Sequence, residues 1–171
     1  MNDLITKIWE SDKKVLHLRE KLNETFYKSD VRTINCQQTY GSVKTGFFTI
    51  AQDSPKIDIC TEYHHDVTSL SRLIQHELVH VYDFKVKKLD LKRSKLDLIR
   101  SEIRAYSYSG YCEEIWHNFD FLRNNCLKSA VGRSVFYHKI DKSEEDRLWK
   151  IIELEVQNEK GLIKDLKDLE K

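Results

Sequence analysis

The stretch LSRLIQHELVHVYDF, Leu70 to Phe84, decides how the rest of the chain reads, because it sets His76, Glu77 and His80 within an otherwise apolar run. At 3.6 residues per turn, His76 and His80 project from one helix face about one turn apart, where two imidazoles can reach the same ion at roughly 2.0–2.1 Å. Glu77 stands beside that face, suited to take a proton from an attacking water rather than to bind the ion itself. Motifs this short also arise by chance on exposed helices whose histidines are merely solvated. The surroundings favour the metal: Leu70, Leu73, Ile74, Leu78, Val79, Val81, Tyr82 and Phe84 make this helix apolar on most sides, hence central. Burying His76, Glu77 and His80 there costs a few kcal/mol unless something satisfies them, and a metal does so.

A catalytic zinc site takes three protein ligands and keeps a position for water. Two carboxylates compete for the third place. Asp83 lies two turns after His76 on nearly the same face, where it can ligate or can hold the second nitrogen of a histidine. Glu102 falls in KLDLIRSEIRAYSYSG, with Leu98, Ile99, Ala105 and Tyr106 around it at helical spacing, so its carboxylate sits on a buried stripe and needs a partner. A second helix that delivers a glutamate to the first resembles the thermolysin-type arrangement, which favours Glu102 as the ligand and Asp83 in support. A salt bridge from Glu102 to Arg104 or Arg123 is the alternative. Nitrogen and carboxylate donors in a tetrahedral site favour Zn2+ over other divalent ions. Tyr82 or another nearby donor is the candidate to steady an oxyanion.

The rest of the chain predicts a mainly α domain of the α+β kind, with one small β-hairpin beside a central His-Glu-x-x-His helix. Its 171 residues suit a single domain over 1–171, and one proline with five glycines are too few to punctuate many short strands. Leu4, Ile5, Ile8, Trp9, Val15, Leu16, Leu22 and Phe26 predict an N-terminal amphipathic helix over 3–27. TGFFTIAQDSPKIDICTEY reads as the hairpin, turning at Gln52 to Pro55. Its second arm, KIDICTE, is either an edge strand able to pair with an extended substrate or a strand that simply closes the sheet. Asp66, Thr68 or Ser69 caps the helix that runs to about Phe84, and further helices are expected over 96–114, with Gly110 as a bend or break, over 116–139 and over 143–157. Residues 158–171 form a charged helical tail.

Twenty-nine basic residues against 28 acidic ones leave a net charge of +1, which provides no long-range field for nucleic acid or an anionic membrane. The run of Lys85, Lys87, Lys88, Lys92, Arg93 and Lys95, interrupted by Asp90, reads as a solvated helix end, and no nucleic-acid partner is expected. No stretch approaches the roughly 20 apolar residues of a membrane span, and the acids in MNDLITKIWESD do not suit a cleaved leader. Cys36, Cys60, Cys112 and Cys126 contain no Cys-x-x-Cys pair; two disulfides and four free thiols both fit. His64, His65, His117 and His138 read as ordinary histidines. Tyr106, Tyr108, Tyr111, Trp116, Phe119 and Phe121 are most simply core, or line a groove or membrane surface.

HELVHVYD (His76 to Asp83) and SEIRAYSYSGYC (Ser101 to Cys112) together resemble the mitochondrial inner-membrane peptidases that process and help assemble ATP synthase. The resemblance extends upstream to KIDIC, ending at Cys60, and downstream to NCLKSAVGRSV and Trp149, covering roughly residues 36 to 155. It implies a zincin-like zinc metalloendopeptidase of the intermembrane space, peripheral to the inner membrane, that trims the precursor of an ATP synthase subunit and assists assembly of that enzyme. Carried over by position, His76 and His80 are zinc ligands and Glu77 is the catalytic base, while Glu102 and Asp83 stand at matching positions. The rival from another class is a non-catalytic subunit, a former peptidase kept in an inner-membrane complex for assembly. The intact HELVH speaks against it, since a scaffold has no chemical use for Glu77.

Overall fold

The amphipathic run at the N-terminus is not one helix. In the computed structural model, which describes residues 1–23, 25–36, 46–51, 54–62, 66–113, 119–136 and 140–167, α1 spans Asn2–Ser11 and α2 spans Lys13–Lys21. Asp12 breaks the run: its backbone is extended (φ −75°, ψ 120°), and its carboxylate accepts from the Val15 N–H at 3.0 Å, capping α2. Arg19 ties the two pieces together, donating to the Trp9 carbonyl at 2.7 Å with its guanidinium 4.9 Å from the centre of the Trp9 ring. The apolar faces that the periodicity identified, with Ile5, Ile8, Trp9, Val15 and Leu18, are buried as expected.

The chain forms two compact units, Met1–Lys87 and Lys88–Lys171. In the first, the expected hairpin gains a third strand. β1 (Val31–Ile34), β2 (Gly46–Ala51) and β3 (Ser54–Cys60) stand in the order β1-β3-β2. β2 and β3 are antiparallel, from Gly46 opposite Ile59 to Ala51 opposite Ser54, and β1 joins β3 in parallel, from Val31 opposite Ile57 to Ile34 opposite Cys60. The KIDIC segment is therefore the central strand, flanked on both sides, and the edge-strand role for KIDICTE does not hold. Its burial fits a central place, because Ile57, Asp58, Ile59 and Cys60 are all fully buried. Asp58 is tolerated there because its register partner Arg32 reaches it with two bonds, Nε to Oδ1 at 2.8 Å and Nη2 to Oδ2 at 2.9 Å. The Cys36–Cys60 disulfide joins the segment after β1 to the end of β3.

Against this sheet lies α3, Val67–Lys85, which carries the histidines and is buried along almost its whole length. Asp66 caps it, accepting from the Ser69 N–H at 2.8 Å, one of the three caps that the sequence offered. Gly46 lets β2 approach closely: a Cβ there would stand 2.9 Å from Leu73 Cδ2 and 3.2 Å from the Asp58 carbonyl. α1 and α2 pack on α3 as well. Asp12 reaches it directly, accepting from the Ser71 hydroxyl at 2.5 Å and from Gln75 Nε2 at 3.0 Å.

The second unit is helical. α4 (Lys95–Tyr108) starts at Ser94, whose hydroxyl accepts from the Asp97 N–H at 3.2 Å. It stops six residues short of the expected end, because Gly110 adopts a left-handed φ of 71° and terminates the helix instead of bending it. α5 (Asp120–Val135) and α6 (Lys142–Gln157) fall within the expected 116–139 and one residue ahead of the expected 143. Two short helices follow, α7 (Glu159–Leu162) and α8 (Lys164–Lys167), so the tail is helical in pieces. Ile99, Ile103, Leu127, Val131, Leu148 and Ile152 form the core of this unit. The Cys112–Cys126 disulfide ties the segment after α4 to α5. The aromatic series divides: Tyr108 is buried and Tyr106 meets the Ser134 hydroxyl at 3.0 Å, whereas Tyr111, Phe119 and Phe121 are exposed and Trp116 lies outside the described residues. His64, His65, His117 and His138 also lie outside them. No helix of the described residues is long and apolar enough to cross a membrane.

Candidate metal centre

In α3 the helical repeat brings His76 and His80 together as the spacing requires. Their Nε2 atoms are 3.1 Å apart, and the rings meet edge to face at 84° with centroids 4.8 Å apart. Two imidazole nitrogens bound to one tetrahedral zinc at 2.0–2.1 Å stand about 3.3 Å from each other, so this pair fits a shared ion with almost no movement. A bare pair of neutral imidazoles can share one N–H in the same geometry, one Nε2 donating and the other accepting. His80 and Glu77 are buried, His76 is partly exposed, and Asp83, two turns beyond His76, is fully buried. One side of the pair is therefore open to solvent while the rest is enclosed.

β2 and the end of α3 supply an apolar wall beside His80. The Phe48 ring lies 6.0 Å from the His80 ring and 6.2 Å from that of Phe84. Hydrocarbon on this side lowers the local dielectric and strengthens any charge interaction within the site. Sequence reasoning had placed Phe48 on a strand but gave it no part here, since nothing in the linear pattern links it to His80. Asp12 was missed for the same reason. Its bonds to Ser71 and Gln75 fix the turn of α3 that immediately precedes His76, across more than fifty residues of chain.

Glu102 belongs to the second unit. It lies on α4 with only 8% of its surface exposed, close in sequence to the fully buried Ile99, Ile103 and Ala105, so the buried-stripe expectation holds. Arg104 and Arg123, the two arginines considered as salt-bridge partners for it, hold Asp165 at 2.8 Å and Glu159 at 2.6 Å. Glu102 offers a buried carboxylate oxygen, a donor type that zinc accepts. Tyr82 is also buried. The basic run is solvated as expected: Lys87 and Lys88 are exposed, and Asp90 accepts from the backbone N–H groups of Lys92 and Arg93.

The chain is similar in sequence to known proteins. The Danio rerio protein named mitochondrial inner membrane protease ATP23 homolog is 28% identical over 124 residues, covering 68% of this chain and 48% of that protein. The mitochondrial inner membrane protease ATP23 of Lodderomyces elongisporus is 31% identical over 138 residues, covering 74% of this chain and 54% of its own length. The human homologue is 30% identical over 81 residues, covering 47% and 32%. The chain thus spans about half the length of the first two curated relatives that it matches. No solved structure matches it. The model of the Peptidase M76 family matches residues 2–152, which include α3, α4 and the whole His-Glu-x-x-His motif, and the chain belongs to that family.

Proposed function

We propose that the protein is a zinc metalloendopeptidase in which His76, His80 and Glu102 hold the ion, Glu77 is the catalytic base and Asp83 supports a histidine. The observation that carries this reading is the pair of Nε2 atoms 3.1 Å apart on a helix that also bears Glu77, in a chain of a peptidase family. His76, His80 and Glu102 each offer one ligand atom of a kind that zinc accepts.

When bound, the ion supplies Lewis acidity that polarises the scissile carbonyl and lowers the pKa of water. The remaining work falls to side chains. Glu77 takes the proton from the attacking water and returns it to the nitrogen of the leaving amine, so one carboxylate serves as base and then as acid. Its burial beside apolar neighbours limits exchange of that proton with solvent. Asp83, fully buried near the same face, suits a hydrogen bond that fixes a ligand ring's tautomer. Phe48 keeps water from the His80 side.

The named relatives are inner-membrane proteases of mitochondria, so we place the protein at that membrane, on its intermembrane-space side, acting on a peptide substrate. Within the family resemblance that substrate is the precursor of an ATP synthase subunit, with assistance to its assembly. Zinc titration and a peptide-cleavage assay on wild type and Glu77→Gln test the reading. Stoichiometric zinc with cleavage in wild type and none in Glu77→Gln supports it. Zinc without Glu77-dependent cleavage selects the scaffold role instead, and absence of zinc binding overturns the peptidase reading and leaves only the scaffold.

A further inference from the structure

α4 presents Glu102 on one side and a polar stripe on the other. At about 100° per residue, Arg100 and Arg104 each lie about 200° around the helix from Glu102, and Ser107 falls on the same back stripe. Both arginines of that stripe engage the C-terminal segment. Arg100 forms a bidentate pair with Glu155, Nε to Oε2 at 3.1 Å and Nη2 to Oε1 at 2.9 Å. Arg104, its side chain only 4% exposed, grips Asp165 through Nη1 at 2.8 Å and Nη2 at 3.3 Å, and also donates to the Leu162 carbonyl. Glu159 of the same segment is held by Arg123 of α5, with Nη2 at 2.6 Å and Nη1 at 3.1 Å.

Glu155, Glu159 and Asp165 all lie beyond residue 152, where the match to the family model ends. The segment that bears them is thus an element that this chain sets behind the Glu102 helix. Bidentate arginine–carboxylate pairs fix both distance and orientation, and two of them one turn apart on a helix fix its rotation about its own axis. We propose that residues Glu155 to Asp165 form a polar strap that positions Glu102, with Arg104 and Asp165 as its principal positioning pair; this rests on the assignment of Glu102 as a metal ligand. Loss of the strap frees α4 to rotate, and a carboxylate on the opposite face then meets the ion less often.

The test uses the full chain, stripped of metal and titrated with zinc ion against a competing chelator at a temperature well below unfolding. Asp165→Asn and Glu155→Gln are each expected to weaken zinc binding about ten-fold, the lower end of what loss of a supporting contact costs, while Asp165→Glu keeps it near wild type. Lys128→Ala removes an exposed pair with Glu153 in the same unit and leaves affinity unchanged. Thermal melting of the metal-free variants separates positioning from bulk stability. If Asp165→Asn and Glu155→Gln bind zinc as tightly as wild type, whatever their melting temperatures, the strap is overturned and the ligand assignment stands. If Glu102→Gln binds as tightly as wild type, the ligand assignment itself fails and the strap with it.

Discussion

Gly132→Ala is the sharpest probe of the second unit, because it alters one atom at a helix crossing. A Cβ at position 132 would stand 2.4 Å from Trp149 Cη2 and 2.9 Å from Cζ2. Carbon atoms in contact prefer about 3.5–4.0 Å, so α5 and α6 must part by roughly 1 Å or the indole must turn. Turning is resisted, since the Trp149 ring lies 5.0 Å from that of Phe136 and its Nε1–H points to Glu145 at 3.4 Å. Overpacking of this severity costs about 3 kcal/mol, at the upper end of the usual range. Alanine recovers about 1 kcal/mol of helix propensity relative to glycine. The net loss of about 2 kcal/mol corresponds to a fall of roughly 4–8 °C in Tm for a chain of this size. Calorimetry on wild type, Gly132→Ala, Trp149→Leu and the double variant checks it: the double variant should recover most of the loss that alanine causes in the presence of Trp149. A Gly132→Ala variant as stable as wild type would refute the close crossing, and the same loss in the Trp149→Leu background would refute the indole as its cause.

Asp12→Ala removes the cap of α2 and leaves Ser71 and Gln75 without their acceptor, so a loss of about 2–3 kcal/mol is expected from the cap and the stranded polar groups together; chemical denaturation reads it, and a change below about 0.5 kcal/mol would speak against the network. Burial drives the Glu159 carboxyl up, but hydrogen bonds from Arg123 and the nearby Arg123 charge outweigh it, so its folded-state pKa lies below the ordinary glutamate value. That stabilisation is complete above about pH 4.3 and fades as pH falls through the lower folded-state value. Glu159→Gln should therefore be less stable than wild type at pH 7, and the gap should close in acid; a gap independent of pH down to pH 2 would contradict the linkage.

The centre of the site was legible because its signal is local. His76, Glu77 and His80 lie within two turns of one helix, and helical periodicity alone puts the histidines on one face. The ends of α3 were legible too, through the Asp66 cap. What escaped notice depends on partners distant in sequence. β1 is only four residues long, and its VRTI run acquires meaning only beside β3, so the sequence reads as a hairpin whose second arm is left open between an edge and a closing strand. The kink at Asp12 competes with strong helical periodicity on both sides and wins because the carboxylate has three donors to satisfy. Arg104 and Asp165 are separated by most of the second unit, and a charged tail gives no sign that one of its acids meets a buried guanidinium.

Four cysteines can pair in three ways. The chain uses first with second and third with fourth, at separations of only 24 and 14 residues. These are the shortest spans that the four allow, and the entropic cost of bringing chain ends together grows with the length between them. Oxidation of the nascent, unstructured polypeptide is thus already biased toward the native connectivity. Each half of the molecule can also be sealed without waiting for the other to be made.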